Sequence, residues 1–251
     1  MLRIILILEV ICLLELWAVM KILNQYGNIT KEGMNSLTGN EGVVENIIEM
    51  KGISQSDIPT GCEAVSTVMV LQHLGIEITP EEFIDSYLPR QKFYRVGDDI
   101  YGPDPQEFFA GNPYEKNSLG CYPKVILKAL DNMKQCRYTG MENLTYTDIS
   151  GMELSQVAAA YISNDIPVLV WVTIEMKESY AGMQYYLEDG SLYTWRANEH
   201  CMVLCGYDKD SYYLMDPLAD GEMVAYEKNL VETRYEEMGR NAVVVEKEKL
   251  D

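Results

Sequence analysis

The sequence predicts an α+β fold, and three observations predict it. Apolar residues recur at helical spacing before about residue 165, and short β-branched and aromatic runs dominate after it. The later runs are joined by tight turns such as Asp189-Gly190, which suit antiparallel hairpins rather than the alternating helices of a parallel sheet. At 251 residues and 47% hydrophobic content, with no internal repeat or low-complexity linker, the chain can bury one substantial core.

The elements follow in order. Leu2 to Leu23 is nearly all apolar, begins with Arg3, and lacks a small-residue cleavage site, so residues 1–23 are expected to form an uncleaved signal-anchor. Glu9 and Glu15 oppose that reading, each at roughly 3 kcal/mol on insertion scales. Residues 24–44, rich in Asn, Gly, Lys and Thr, read as a tether, and 45–251 as a single domain. Helices are expected at 61–73, 80–88, 122–135, 154–163 and 228–238. Strands are expected at 168–174, 184–187, 191–195, 201–207, 211–215, 222–226 and 241–246. The Gly-, Pro- and Asp-containing stretch 91–119 is expected to be a loop over the cleft.

Composition removes several function classes. A formal net charge of −19 repels phosphate backbones and anionic lipid headgroups, which argues against nucleic acid as a partner. Two histidines cannot build a three-histidine zinc site, and no H-E-x-x-H helix or G-x-S-x-G elbow is present. No metal or cofactor is expected. A site made of Cys201, Cys205 and His200 is disfavoured because His200 points to the opposite strand face from both cysteines.

Thiol chemistry remains. Pro59 and Gly61 break the chain ahead of a helix, and Thr60 with Glu63 forms a capping-box pattern, so Cys62 falls in the first helical turn. Unpaired N–H groups and the helix dipole there favour a thiolate. His73 lies further along the same helix, roughly 16 Å away at 1.5 Å per residue, which leaves His200 as the base. The run Met202 to Tyr207, the turn Asp208-Lys209-Asp210 and the run Ser211 to Met215 read as a hairpin. Its second strand returns Asp216 beside His200, where a carboxylate would hold the imidazole in one tautomer.

The motifs Thr60-Gly61-Cys62-Glu63-Ala64-Val65-Ser66, Asn198-Glu199-His200-Cys201 and Asp216-Pro217-Leu218 resemble those of the stand-alone, papain-like branch of the bacteriocin-processing cysteine peptidases. So do Gly111-Asn112-Pro113-Tyr114, Gly120-Cys121-Tyr122-Pro123 and the tail from Arg234 to Ala242, and the resemblance covers roughly residues 45 to 247. It implies a papain-like cysteine peptidase fold, with the early helix that carries the nucleophile packed on an antiparallel sheet. It also implies hydrolysis of a peptide or protein substrate by Cys62 as nucleophile, His200 as base, Asp216 as orienting acid and Gln55 as oxyanion-hole donor. Transporter-fused members trim leader peptides after a double glycine; this chain shows no transporter or nucleotide-binding segment, so that substrate is not carried over. Rival readings are a thiol amidase or acyl transferase on cell-wall peptides, and a noncatalytic binding module.

The apolar amino terminus places the enzyme outside the cytoplasm, anchored to the membrane. Cysteine spacing adds no disulfide framework to that expectation. Cys201 and Cys205 stand roughly 13 Å apart along one strand, beyond the ~7 Å a disulfide tolerates. Cys121 and Cys136 bracket a helix at roughly 20 Å. Buried free thiols are expected.

Overall fold

The computed structural model describes residues 46–248, so the expected anchor and tether lie outside the described residues. Within them run helices α1 (Cys62–His73), α2 (Pro80–Ser86), α3 (Pro123–Gln135), α4 (Leu154–Ala160) and α5 (Lys228–Glu237). The strands are β1 (Asn46–Ile47), β2 (Arg90–Gln91), β3 (Tyr94–Val96), β4 (Asp99–Tyr101), β5 (Phe109–Ala110), β6 (Leu144–Asp148) and β7 (Val168–Thr173). They continue as β8 (Tyr180–Tyr186), β9 (Leu192–Ala197), β10 (Glu199–Tyr207), β11 (Ser211–Asp216), β12 (Glu222–Glu227) and β13 (Ala242–Lys247).

The main sheet is antiparallel throughout, in the order β12-β11-β10-β7-β13-β6, with β1 added to the end of β10 through Asn46↔Tyr207 and Ile47↔Gly206. Its centre is buried along all of β7 and along β10 from Glu199 to Gly206. That is why both read as continuous apolar runs instead of an inside–outside alternation. Helix α1 packs on β10 and β7 and is itself covered by α2 and α3. Residues Cys62 to Leu71 are all buried, so the helix shows almost no polar face. Its two hydroxyls are satisfied internally, Ser66 Oγ donating to Cys201 O (3.0 Å) and Thr67 Oγ1 to Glu63 O (2.6 Å).

Several expected boundaries shift for identifiable reasons. The helix expected over 154–163 ends at Ala160 and continues only as a 3₁₀ turn, because the chain reverses at Asp165 with a left-handed backbone (φ 59°). Strand β8 starts at Tyr180, not at 184, since an irregularity between Ala181 and Gln184 breaks the pairing register with β9. Strand β6 was not expected: it is an edge strand with one buried residue, Leu144, and so carries little apolar signal. The stretch 91–119 is not a plain loop. It forms the β3–β4 hairpin, which joins β8 and β9 in a second sheet, and it contains β5, which pairs in parallel with β2.

Among the described residues no helix is long and apolar enough to cross a membrane. The five described cysteines are free thiols, four of them buried; Cys136 is exposed, against the expectation.

Candidate active site

Cys62 is the first residue of α1, and Gly61 caps it because a Cβ there would stand 2.4 Å from Ile58 Cγ2. The expected capping box does not form. Thr60 Oγ1 instead donates to the carbonyls of Pro113 (3.2 Å) and Glu115 (3.1 Å), pinning the 113–115 turn over the helix start. Glu63 turns inward, where its Oε1 accepts the Cys121 N–H. The cause is burial: a first turn roofed by protein offers no solvent-facing position for a capping carboxylate.

Burial also reverses the expected thiolate. Cys62 Sγ donates to Glu63 Oε2 (3.4 Å) and accepts the Cys201 N–H (3.4 Å). Desolvation first, then the nearby carboxyls of Glu63 and Glu199, push the thiol well above its ordinary range, against a smaller lowering by the Cys201 N–H. Glu63 is pushed up to about 7 by burial, although the Cys121 N–H pulls the other way. Glu199 is raised well above the carboxylate range by burial and by Glu63. These effects favour the neutral thiol at Cys62.

The hairpin argument for Asp216 holds. β10 and β11 pair through Val203↔Met215, and Asp216, the next residue, meets His200 across the strands. His200 Nε2 and Asp216 Oδ1 lie 2.7 Å apart, and the residues are 1% and 5% exposed. Leu218 N–H also donates to that oxygen (2.8 Å). Burial pushes the Asp216 carboxyl up, but the His200 hydrogen bond and charge and the N–H donors of Leu218 and Ala219 outweigh it and hold the group below its ordinary range. His200 sits within β10, opposite Val172, and not in a loop before it.

Gln55 is buried at the entry to α1, with Nε2 donating to Pro59 O (3.4 Å) and Oε1 without a partner. Its N–H donates to Pro217 O (2.9 Å), so the loop before α1 is laid along the turn after Asp216. Gln55, Cys62, Glu199 and His200 line one cavity of about 300 Å³, shared with Leu119, Trp195 and Tyr180. Three of the four expected residues, Gln55, Cys62 and His200, therefore face a common space, and the fourth, Asp216, bonds His200. Sγ makes no hydrogen bond to His200. His73 stands at the far end of α1.

The sequence profile of the peptidase C39-like family matches residues 47–243. The chain belongs to that family. Its papain-like α+β architecture agrees with a crystal structure from Bacillus anthracis assigned as a C39-like peptidase. That structure is 24% identical at a TM-score of 0.69, covering 82% of this chain and 99% of that one. The uncharacterised protein YvpB of Bacillus subtilis (strain 168) is 26% identical over 197 residues, which is 77% of this chain and 73% of YvpB.

Within this C39-like domain, sequence reasoning missed Glu63 and Glu199 as a pair. A carboxylate oxygen of each lies within 4.8 Å of the other and of Cys62 Sγ. One signal was available: Glu199 falls two residues before buried Cys201 in an apolar strand, a register that turns it to the same face. Nothing comparable marks Glu63, because a helix buried on all sides has no periodicity to violate.

Proposed function

We propose that this protein is a cysteine peptidase that hydrolyses peptide bonds, with Cys62 as nucleophile, His200 as general base and acid, Asp216 as the group orienting His200, and Gln55 as oxyanion donor. The observation that carries the reading is the buried 2.7 Å hydrogen bond between His200 and Asp216, beside a cavity that also receives Cys62 and Gln55. Asp216 occupies Nε2, which leaves Nδ1 as the imidazole nitrogen for sulfur. In this reading the Cys62 side chain turns away from Glu63 to meet it.

In this reading Nδ1 takes the thiol proton as Sγ attacks the scissile carbonyl. The resulting oxyanion is met by Gln55 Nε2 and the Cys62 N–H at the head of α1. His200 then passes the proton to the leaving amine, leaving a thioester. Water, deprotonated by the same imidazole, releases the carboxylic acid and regenerates the thiol. Asp216 offsets the imidazolium charge at both steps.

The test is turnover of a peptide library by the full-length chain, scored by mass spectrometry beside cell-wall peptides. Cys62→Ala and His200→Ala should each lower cleavage by roughly 10⁴-fold or more. Hydrolysis confined to cell-wall amides would establish the amidase reading. Binding of peptides without turnover, unaffected by Cys62→Ala, would establish a noncatalytic module.

A further inference from the structure

We propose that Glu199, backed by Glu63, is the acidic end of a substrate subsite that takes a basic side chain, lysine or arginine, beside the bond being cut. The proposal rests on the peptidase reading above and names its substrate class. Glu199 is only 7% exposed and lines the cavity that holds Cys62 and His200, yet its Oε1 has no hydrogen-bond partner. A buried acidic group that has lost water and gained no partner is costly to leave so unless something supplies one. Among the described residues neither Glu199 nor Glu63 takes part in an ion pair, and no lysine or arginine lines the cavity.

Packing around the pair is closed on the protein side. A Cβ at Gly120 would stand 2.4 Å from Glu63 Oε1 and 3.0 Å from Glu199 Oε2, so only a glycine lets the backbone approach both carboxyls. That leaves the cavity as the open side of Glu199. The cavity wall suits such a donor. Leu119, Ile174 and Met183 offer an apolar shaft for an aliphatic stem, and Trp195 and Tyr180 offer aromatic faces to a cationic head. The chain's net charge of −19 draws basic peptides toward it.

Occupancy of the subsite has a consequence for the nucleophile. At rest the two carboxyls lie within 4.8 Å of Sγ and help keep Cys62 a thiol. A cation beside them offsets the negative charge of the pair while the shared proton stays in place, and makes the thiolate easier to form. A basic substrate thus promotes its own attack, and empty enzyme keeps its thiol protonated.

The test needs no turnover. The full-length chain is treated with three methanethiosulfonates that transfer a neutral methyl, a cationic aminoethyl or an anionic sulfonatoethyl thio group. Rates are read by mass spectrometry at Cys62 and, as reference, at exposed Cys136. The cationic-to-neutral rate ratio should be about tenfold or more higher at Cys62 than at Cys136. It should fall to the Cys136 value in Glu199→Gln, an isosteric change that keeps the volume. Equal ratios at the two cysteines of the wild type overturn the subsite. In turnover, kcat/KM for peptides with lysine or arginine should exceed that for norleucine counterparts in the wild type only. Charge-selective labelling without hydrolysis of any peptide would defeat the peptidase reading while the subsite stands. Hydrolysis without charge preference would do the reverse.

Discussion

At Cys62 two electrostatic environments pull in opposite directions. The head of α1 offers its free N–H groups and about half a positive charge to a thiolate. Full burial beside two carboxyls disfavours it, and that effect wins. The sequence made the first pull legible, because Pro59, Gly61 and Glu63 mark a helix start. It hid the second, because a carboxylate at a helix start ordinarily faces water. The pair leaves a trace in stability. The Glu63 carboxyl, at about 7 in the fold against an ordinary 4.5, binds its proton more tightly when folded. Its contribution is therefore full below about 4.5 and is lost as pH rises through about 7. Asp216 runs the other way: its carboxyl is lowered, so its contribution is present above the ordinary carboxylate range and disappears on acidification. In Glu63→Gln the melting temperature should fall less between pH 4.5 and 7 than in wild type; parallel curves would remove Glu63 from the account. For His200 and Asp216, Asp216→Asn should keep the fold and lower kcat on the order of 10²-fold, since an amide oxygen still accepts the ring N–H but cannot offset its charge. Added to His200→Ala, it should cost little more. Multiplicative losses in the double variant would make Asp216 a turn residue only.

At the scale of elements, legibility followed apolar patterning and turn signals. The β10–β11 hairpin was readable from Asp208-Lys209-Asp210 between two strand patterns, and with it the meeting of His200 and Asp216. Helices α1, α2, α3 and α5 were placed to within a residue or two, the first three with a proline at or just before their starts. Edge strand β6 and the start of β8 were not, since a polar edge and a register break both erase alternation. The approach that seats Gln55 was also invisible. Gly52 passes Gly221 so closely that a Cβ at Gly52 would stand 1.7 Å from Gly221 O, and Gly221 itself has φ of +78°. That crossing locks the loop before α1 to the turn after β11. Gly52→Ala should push the two segments apart, cost about 1–3 kcal/mol of stability by overpacking, and lower kcat beyond what Tm explains, because Gln55 moves with the loop. Wild-type kcat and Tm together in this variant would show the crossing to be slack.

For the whole molecule, the apolar stretch Leu2–Leu23 bears on where the chemistry happens, and we propose that it holds the enzyme at a membrane with the catalytic domain outside the cytoplasm. The domain itself offers no alternative attachment by a spanning helix, because none of the described helices is long and apolar enough. The chain's net charge of −19, most of it in the domain, repels anionic headgroups, so adsorption of the domain is a poor substitute for an anchor. Glu9 and Glu15 weaken the segment by roughly 3 kcal/mol each at full depth, a loss that some twenty apolar neighbours offset and that a tilted or shallow span reduces. Fractionated cells should therefore hold the full-length chain in the membrane pellet, released by detergent and not by high salt. Protease added outside intact cells should remove the 45–251 domain. A chain lacking residues 1–23 should leave the pellet. Full-length protein found in the soluble cytoplasmic fraction would end the anchor reading, and with it the argument that the substrate is met outside the cell.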